Sequence, residues 1–281
     1  MKKPAFLLPL SILLAGCGRL DLLTTEGTSE SWLASHSWVP VRLGQLDFIL
    51  AEPSSSIIVY GLAVILALAG IVFLKNREHD RSRLLWGIGL LLWSASTFSA
   101  GTSYQAFAYV LKFAGRTEAL WTTWWEIWYL LLFVLSMNVL GAGVAFSSTT
   151  GKGRKTLFWY LAVNTALYLL VVLSGAFIPN RFMASFECML LFTGPTFIVL
   201  SAINLGRWRK LKTVVDIRLF LAWVGFFAVT ALYFAYYISG IAEKLWNSGI
   251  WFNANDVLHI GLIAWVVYLL IGVKKHIKES R

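Results

Sequence analysis

The chain has 281 residues, of which 58% are hydrophobic, 15% aromatic and only 14% charged. No soluble core of that length hides so much apolar surface, which excludes an ordinary globular domain and leaves a polytopic membrane protein. The formal charge of +10 is concentrated between apolar runs, so it is a topology signal rather than a nucleic-acid footprint.

The first element in chain order is a leader. Lys2 and Lys3 precede a short apolar run at residues 5–13, followed by Leu14-Ala15-Gly16-Cys17. The run is too short to span a bilayer and has the flanks of a signal peptide. It resembles a bacterial lipoprotein signal with its lipobox. That resemblance implies removal of residues 1–16 and acylation of Cys17, which would anchor the mature N-terminus in the outer leaflet of a bacterial inner membrane. Cys188 would then be the single free thiol, so no intrachain disulfide and no cysteine-based metal cluster is available. Residues 17–52 read as an extracytoplasmic segment. Its first part, 18–31, is rich in Thr, Ser, Gly and Glu and reads as a flexible tether. Its second part, 32–50, carries Trp32, Trp38, Val39, Leu43, Leu46, Phe48, Ile49 and Leu50 and is expected to rest on the outer membrane surface.

Residues 53–273 form the membrane domain. Apolar runs near 55–74, 84–110, 119–144, 156–178, 182–205, 217–240 and 256–273 are each long enough to cross about 30 Å of hydrocarbon as helices. They are continuously apolar, not alternating, so the expected fold is all-α with seven transmembrane helices and no barrel. No internal repeat is evident, and seven spans do not halve, which counts against a transporter of duplicated bundles.

The loop charges orient the bundle. Sixteen Lys or Arg fall on one side: Lys75, Arg77, Arg81, Arg83, Lys152, Arg154, Lys155, Arg207, Arg209, Lys210, Lys212, Arg218, Lys274, Lys275, Lys278 and Arg281. Past Cys17 the other side has six, Arg19, Arg42, Lys112, Arg116, Arg181 and Lys244. The positive-inside rule makes the first side cytoplasmic, with the N-terminus outside and the basic tail, 274–281, inside.

Within the spans, ionisable groups mark the place to look for a site, because each costs several kcal/mol in lipid unless partnered. By helical rise, Glu126 lies about 10 Å and Glu187 about 8 Å below the outer ends of spans three and five. Asp256, His259 and Gln105 lie within roughly 6 Å of the outer ends of spans seven and two. A polar pocket in the outer leaflet is therefore expected from Gln105, Glu126, Glu187, Asn255, Asp256 and His259. Trp121, Trp124 and Trp128 fall on the helix face opposite Glu126, which turns that carboxylate inward with Thr122, Leu130, Phe133 and Met137. Glu126 also has a plainer reading, a protonated group hydrogen-bonded to a neighbouring helix. Asp256 reads equally as a helix cap with Asn253 and Asn255. His259, three residues further on, is placed to be oriented by Asp256.

The residues Ser99-Ala100-Gly101-Thr102-Ser103-Tyr104-Gln105 at the end of span two, with Asn255-Asp256-Val257-Leu258-His259 opening span seven, resemble the CREST superfamily. That group includes alkaline ceramidases and progestin/adipoQ-type receptors. The resemblance implies a zinc site in which the span-two histidine falls on Gln105, a serine on Gly101, and the span-seven pair on Asn255 and His259, with Glu126 or Glu118 as the acid. Only His259 remains as a ligand of that set, and Gln and Asn bind zinc poorly.

Three functional expectations follow. The first is a non-enzymatic membrane protein whose outer pocket holds a lipid-like or small polar ligand or a partner protein. The second is a metal-dependent hydrolase of lipid amide or ester bonds, with His259, Glu126 and Asp256 as catalytic candidates and His259, Glu126 and Glu187 as ligands for zinc or a harder metal. The third is a proton or ion pathway. A retinal Schiff base is excluded in span seven, which has no lysine before Lys274.

Overall fold

The computed structural model describes residues 19–280. The leader and Cys17 lie outside them. Among the described residues, seven helices are long and apolar enough to cross a membrane: Pro53–Lys75, Arg81–Ala106, Trp124–Ser148, Gly151–Phe177, Phe186–Leu211, Val214–Ile238 and Ala254–His276. The chain is thus an all-α, seven-span integral membrane protein.

Residues 19–51 are more ordered than their composition suggests. A 3-10 turn, Arg19–Leu22, leads into β1 (Thr24–Thr25) and α1 (Ser29–Ser35), followed by a hairpin of β2 (Trp38–Leu43) and β3 (Leu46–Ala51) in which Trp38 pairs with Ala51 and Leu43 with Leu46. The segment expected to be a flexible tether is pinned instead, because Leu20 and Leu23 are buried in an apolar cluster with Ile127, Leu130, Tyr168 and Val172. Thr28 and Ser31 form a capping box that starts α1, and Ser29 Oγ donates to the Phe113 carbonyl at 2.8 Å. Trp32 is buried against Tyr109 and Phe113.

α2 (Pro53–Lys75) opens with a proline in its first turn, where the missing N–H costs nothing. α3 (Arg81–Ala100) is capped by Asp80, whose carboxylate accepts from the Arg83 amide at 2.9 Å. Its course continues as a π-helical turn, Gly101–Ala106, then breaks at Phe107 before a short α4 (Ala108–Lys112). The second apolar run extends to residue 110, so this break was invisible in hydropathy. β4 (Ala119–Leu120) pairs with β1, and α5 (Trp124–Ser148), α6 (Gly151–Phe177) and α7 (Phe186–Leu211) follow. α7 starts four residues later than its apolar run because Ser185 caps it, accepting from the Cys188 amide at 3.2 Å. α8 (Val214–Ile238), a short α9 (Ile241–Asn247) and α10 (Ala254–Tyr268) complete the bundle, the last continuing as a π-helical turn, Leu269–Val273, and a 3-10 turn, Lys274–His276.

α5 is the most enclosed span, packed against α3, α6 and α7. Small residues allow the approach: a Cβ on Gly89 would stand 2.7 Å from the Leu140 side chain. Serines and asparagines join the helices where hydrocarbon offers no partner. Ser94 donates to the Ala63 carbonyl at 2.7 Å and Ser96 to that of Tyr129 at 2.9 Å. Asn138 donates to Thr165 at 2.8 Å, and Asn164 to Asn138 at 3.2 Å. Toward the basic end the core is aromatic, with Trp86, Trp93, Phe197, Trp223, Phe226 and Trp265 in mutual contact. The C-terminal tail docks there: Ile277 is buried, Arg83 Nε donates to its carbonyl at 2.8 Å, and Arg154 Nη2 donates to the Ser280 carbonyl at 2.7 Å.

Candidate functional site

The end of the bundle that carries residues 19–51 gathers three polar groups. The first is built around Glu126, in the first turn of α5, with its side chain 2% exposed. Glu126 faces the interior with Thr122, Leu130 and Met137, all buried, while Trp125 and Trp128 on the other face are 40% and 55% exposed. Trp121 and Trp124 are instead partly buried beside the cluster that holds Leu20 and Leu23. The Glu126 carboxylate is not a lone acid. It forms an ion pair with Lys112 and accepts from Ser103 Oγ at 2.7 Å, and that hydroxyl lies 2.8 Å from Thr123 Oγ1. The Lys112 ammonium also stands 4.8 Å from the centre of the Tyr104 ring, a cation–π contact.

Lys112 was counted among the outer loop charges because it follows an apolar run. The π-helical turn and the break at Phe107 bring it back over the bundle, where its side chain is 11% exposed. π-helical turns of this kind insert a residue into a helix and often occur at functional sites. The same turn presents Ser103, Tyr104 and Gln105. A side chain at Gly101 would meet Val59 at 2.7 Å, so α2 packs directly on this turn.

The second group consists of two polar atoms with no protein partner. Gln105 is 3% exposed, and its Oε1 is buried without a hydrogen bond. His259, in the second turn of α10, has a buried Nδ1 with no partner. Asp256 does not hydrogen-bond to it. Thr122 Oγ1 and Asp256 Oδ1 at the same end are also without a partner, and since buried polar atoms are nearly always satisfied by protein, water or ligand, these atoms mark capacity for bound water or another molecule. α8 buries Asp216, Leu219, Ala222 and Trp223 but no residue from Val224 to Ile238, although Phe226 and Val229 pack against the core and a Cβ on Gly261 would stand 2.7 Å from Val229. Tyr104, although in a span, is 39% exposed, and its ring meets Tyr129 edge-on at 6.0 Å. Tyr233 on α8 lies in electrostatic range of Tyr129, and the exposed Glu187 in that of Tyr104 and Tyr233. Glu187 is exposed in the first turn of α7, just ahead of the buried Cys188 and Met189, and is not enclosed by the bundle.

The third group contains the helix cap expected of Asp256 and one residue that was not expected, Glu52. Asn253 and Asp256 form a capping box at the start of α10: Asp256 Oδ2 accepts from the Asn253 amide at 2.8 Å, and Asn253 Oδ1 from the Asp256 amide at 3.2 Å. Asn255 beside them is half-buried. Asn253 Nδ2 also donates to Glu52 at 3.2 Å, and Trp251 Nε1 donates to Ser55 at 3.0 Å. Glu52 is 6% exposed, with φ of 42°, an unusual left-handed conformation for a non-glycine residue. Burial, and then the charge of Asp256, push its carboxyl up to about 7 against a lowering hydrogen bond from Asn253. No local signal marked Glu52, since its partners lie some two hundred residues away.

A raised folded-state pKa means that the native protein holds a proton the unfolded chain releases. Stability from Glu52 is therefore present at low pH and falls as pH rises from the ordinary carboxyl range through about 7. Glu52→Gln should flatten that slope in unfolding midpoints measured between pH 5 and 8 on the detergent-solubilised protein. An unchanged slope would show that Glu52 does not carry the titration.

Among the described residues, no three His, Cys, Asp or Glu side chains gather closely enough to hold a metal ion. Glu126 is committed to Lys112, and Glu118, the other acid considered, is exposed in the loop before β4. A zinc site of the expected composition does not fit these positions. Comparisons with family models, with curated proteins and with solved structures find no match to this chain.

Proposed function

We propose that this integral membrane protein binds a neutral, amphipathic, lipid-like ligand at the end of the bundle that bears its N-terminal segment, without converting it chemically. The observation that carries the reading is that polar atoms at this end are buried without a partner, Gln105 Oε1 and His259 Nδ1 among them. A hydroxyl- or amide-bearing head group would satisfy them by hydrogen bonding. Neutrality is argued from the charges beside them. Lys112 and Glu126 already compensate each other, so an anionic head group would meet no free cation there, and a cationic one would meet only Glu52 and Asp256, which hydrogen bonds from Asn253 already engage. An apolar tail would remain in the bilayer against the exposed surface of α8 and Tyr104, which is 39% exposed. Charge distribution supports placing this end in the outer leaflet.

The test is photocrosslinking in lipid nanodiscs with a photoactivatable, clickable diacylglycerol. Gln105→Leu and His259→Leu are each expected to reduce labelling by about fivefold, the equivalent of one hydrogen bond to a buried group, with the thermal midpoint retained. Labelling equal to wild type in both variants would overturn the reading.

A further inference from the structure

At the opposite, basic end of the bundle, a groove of about 690 Å³ is lined by Gly151, Lys152, Arg154, Lys155, Phe158 and Trp159. Its cations differ in availability. Arg154 is turned into the protein, where it donates to the carbonyls of Thr149 and Ser280 at 2.8 and 2.7 Å, pairs with Glu279 at 3.4 Å and stacks over Phe146. Lys152 and Lys155 are exposed and make no ion pair among the described residues. Gly151 and Gly153 have open space where a side chain would stand, so nothing obstructs the lysines.

The groove is amphipathic along one direction. From Lys155, steps of three or four residues along α6 reach Trp159, Val163, Leu167 and Leu170, which are 69%, 49%, 51% and 65% exposed. Residues so spaced share a helix face. One face of α6 thus presents two unpaired ammonium groups at its start and a continuous apolar strip beyond them, with the Trp159 ring at the junction, where indoles favour the boundary between head groups and hydrocarbon.

We propose that this groove is a binding site for an anionic phospholipid, whose phosphate lies between Lys152 and Lys155 and whose acyl chain runs along the Trp159, Val163, Leu167 and Leu170 strip. Charge complementarity selects the head group, since a zwitterionic lipid brings its own cation against two lysines that have no counter-ion. The apolar strip selects a lipid over a soluble phosphate, which would leave that face unused. The site is independent of the neutral-ligand site proposed at the other end, and Arg154, held by the tail, lies behind the two lysines.

Native mass spectrometry of the detergent-solubilised protein, titrated with phosphatidylglycerol or phosphatidylcholine, tests the assignment. Wild type should retain phosphatidylglycerol on the order of tenfold better than phosphatidylcholine, as expected for two lysines at a lipid surface. Lys152→Gln/Lys155→Gln should abolish that preference, whereas Lys75→Gln/Arg77→Gln, which removes equal charge from the same end, should preserve it. Equal loss in both double variants would mean diffuse attraction and would overturn the site, as would a wild-type protein without preference. Displacement of the bound lipid by millimolar inorganic phosphate would likewise refute the acyl-chain contribution.

Discussion

Lys112→Met is expected to destabilise the protein by about 3–5 kcal/mol, the cost of leaving a buried carboxylate without its cation. The side chains concerned are 11% and 2% exposed, and the remaining donor to Glu126 Oε1 is the Ser103 hydroxyl. That donor cannot replace a full charge. The double variant Lys112→Met/Glu126→Leu should recover most of the loss, since it removes both desolvated charges and fills a similar volume. Thermal unfolding of the three proteins in one detergent gives the coupling directly. If Lys112→Met unfolds at the wild-type midpoint, Lys112 is solvated and the pair is not a buried element of the site.

The second large effect is expected at the other end. Asp216 is fully buried at the start of α8 and accepts from Asn204 Nδ2 at 3.1 Å, from Arg207 Nε at 3.2 Å and from the Thr213 hydroxyl. Asn204 in turn donates to Ser148 at 2.9 Å and accepts from Trp223 Nε1 at 3.0 Å. One carboxylate therefore ties α8 to α7 and, through Asn204, to the end of α5. Asp216→Leu leaves a guanidinium, an amide and a hydroxyl without their acceptor and should cost about 3 kcal/mol or more. Asp216→Asn, which keeps an acceptor oxygen, should cost less. Equal, small losses in both variants would show that the network is solvated from the membrane surface.

These two acids show where pattern reading succeeds and where it stops. The inward direction of Glu126 follows from helical phase, although of Trp121, Trp124 and Trp128, expected on the opposite face toward lipid, only Trp128 is exposed while the other two pack on the cluster that holds Leu20 and Leu23. Its partner does not follow. Lys112 sits 14 residues earlier, after an apolar run, and becomes interior only through the π-helical turn and the break at Phe107. Asp216 lies between the fifth and sixth apolar runs beside a basic stretch, where nothing in the pattern singles it out. Glu52, just before Pro53, looked like the end of a connecting segment, yet it meets Asn253 across the bundle. Glu187 was expected about 8 Å below the outer end of its span, but the helix begins only at Phe186, so the residue lies in the first turn and is exposed.

The seven spans were legible because partition into a bilayer is nearly additive along the chain: a run of about 20 apolar residues declares itself whatever its neighbours do. Helix ends were less so, since Ser185, Asp80 and Asn253 set them by single hydrogen bonds. The order in residues 19–51 was hidden for a different reason: its polar composition is typical of a tether, and two leucines with a tryptophan suffice to pin it once a receiving surface exists. Which ionisable groups pair, which polar atoms stay unpaired and which lysines remain free are decided only in three dimensions. Each depends on angstrom-scale distances between helices far apart in the chain, and in a low-dielectric interior those distances determine whether a charge is compensated or costly.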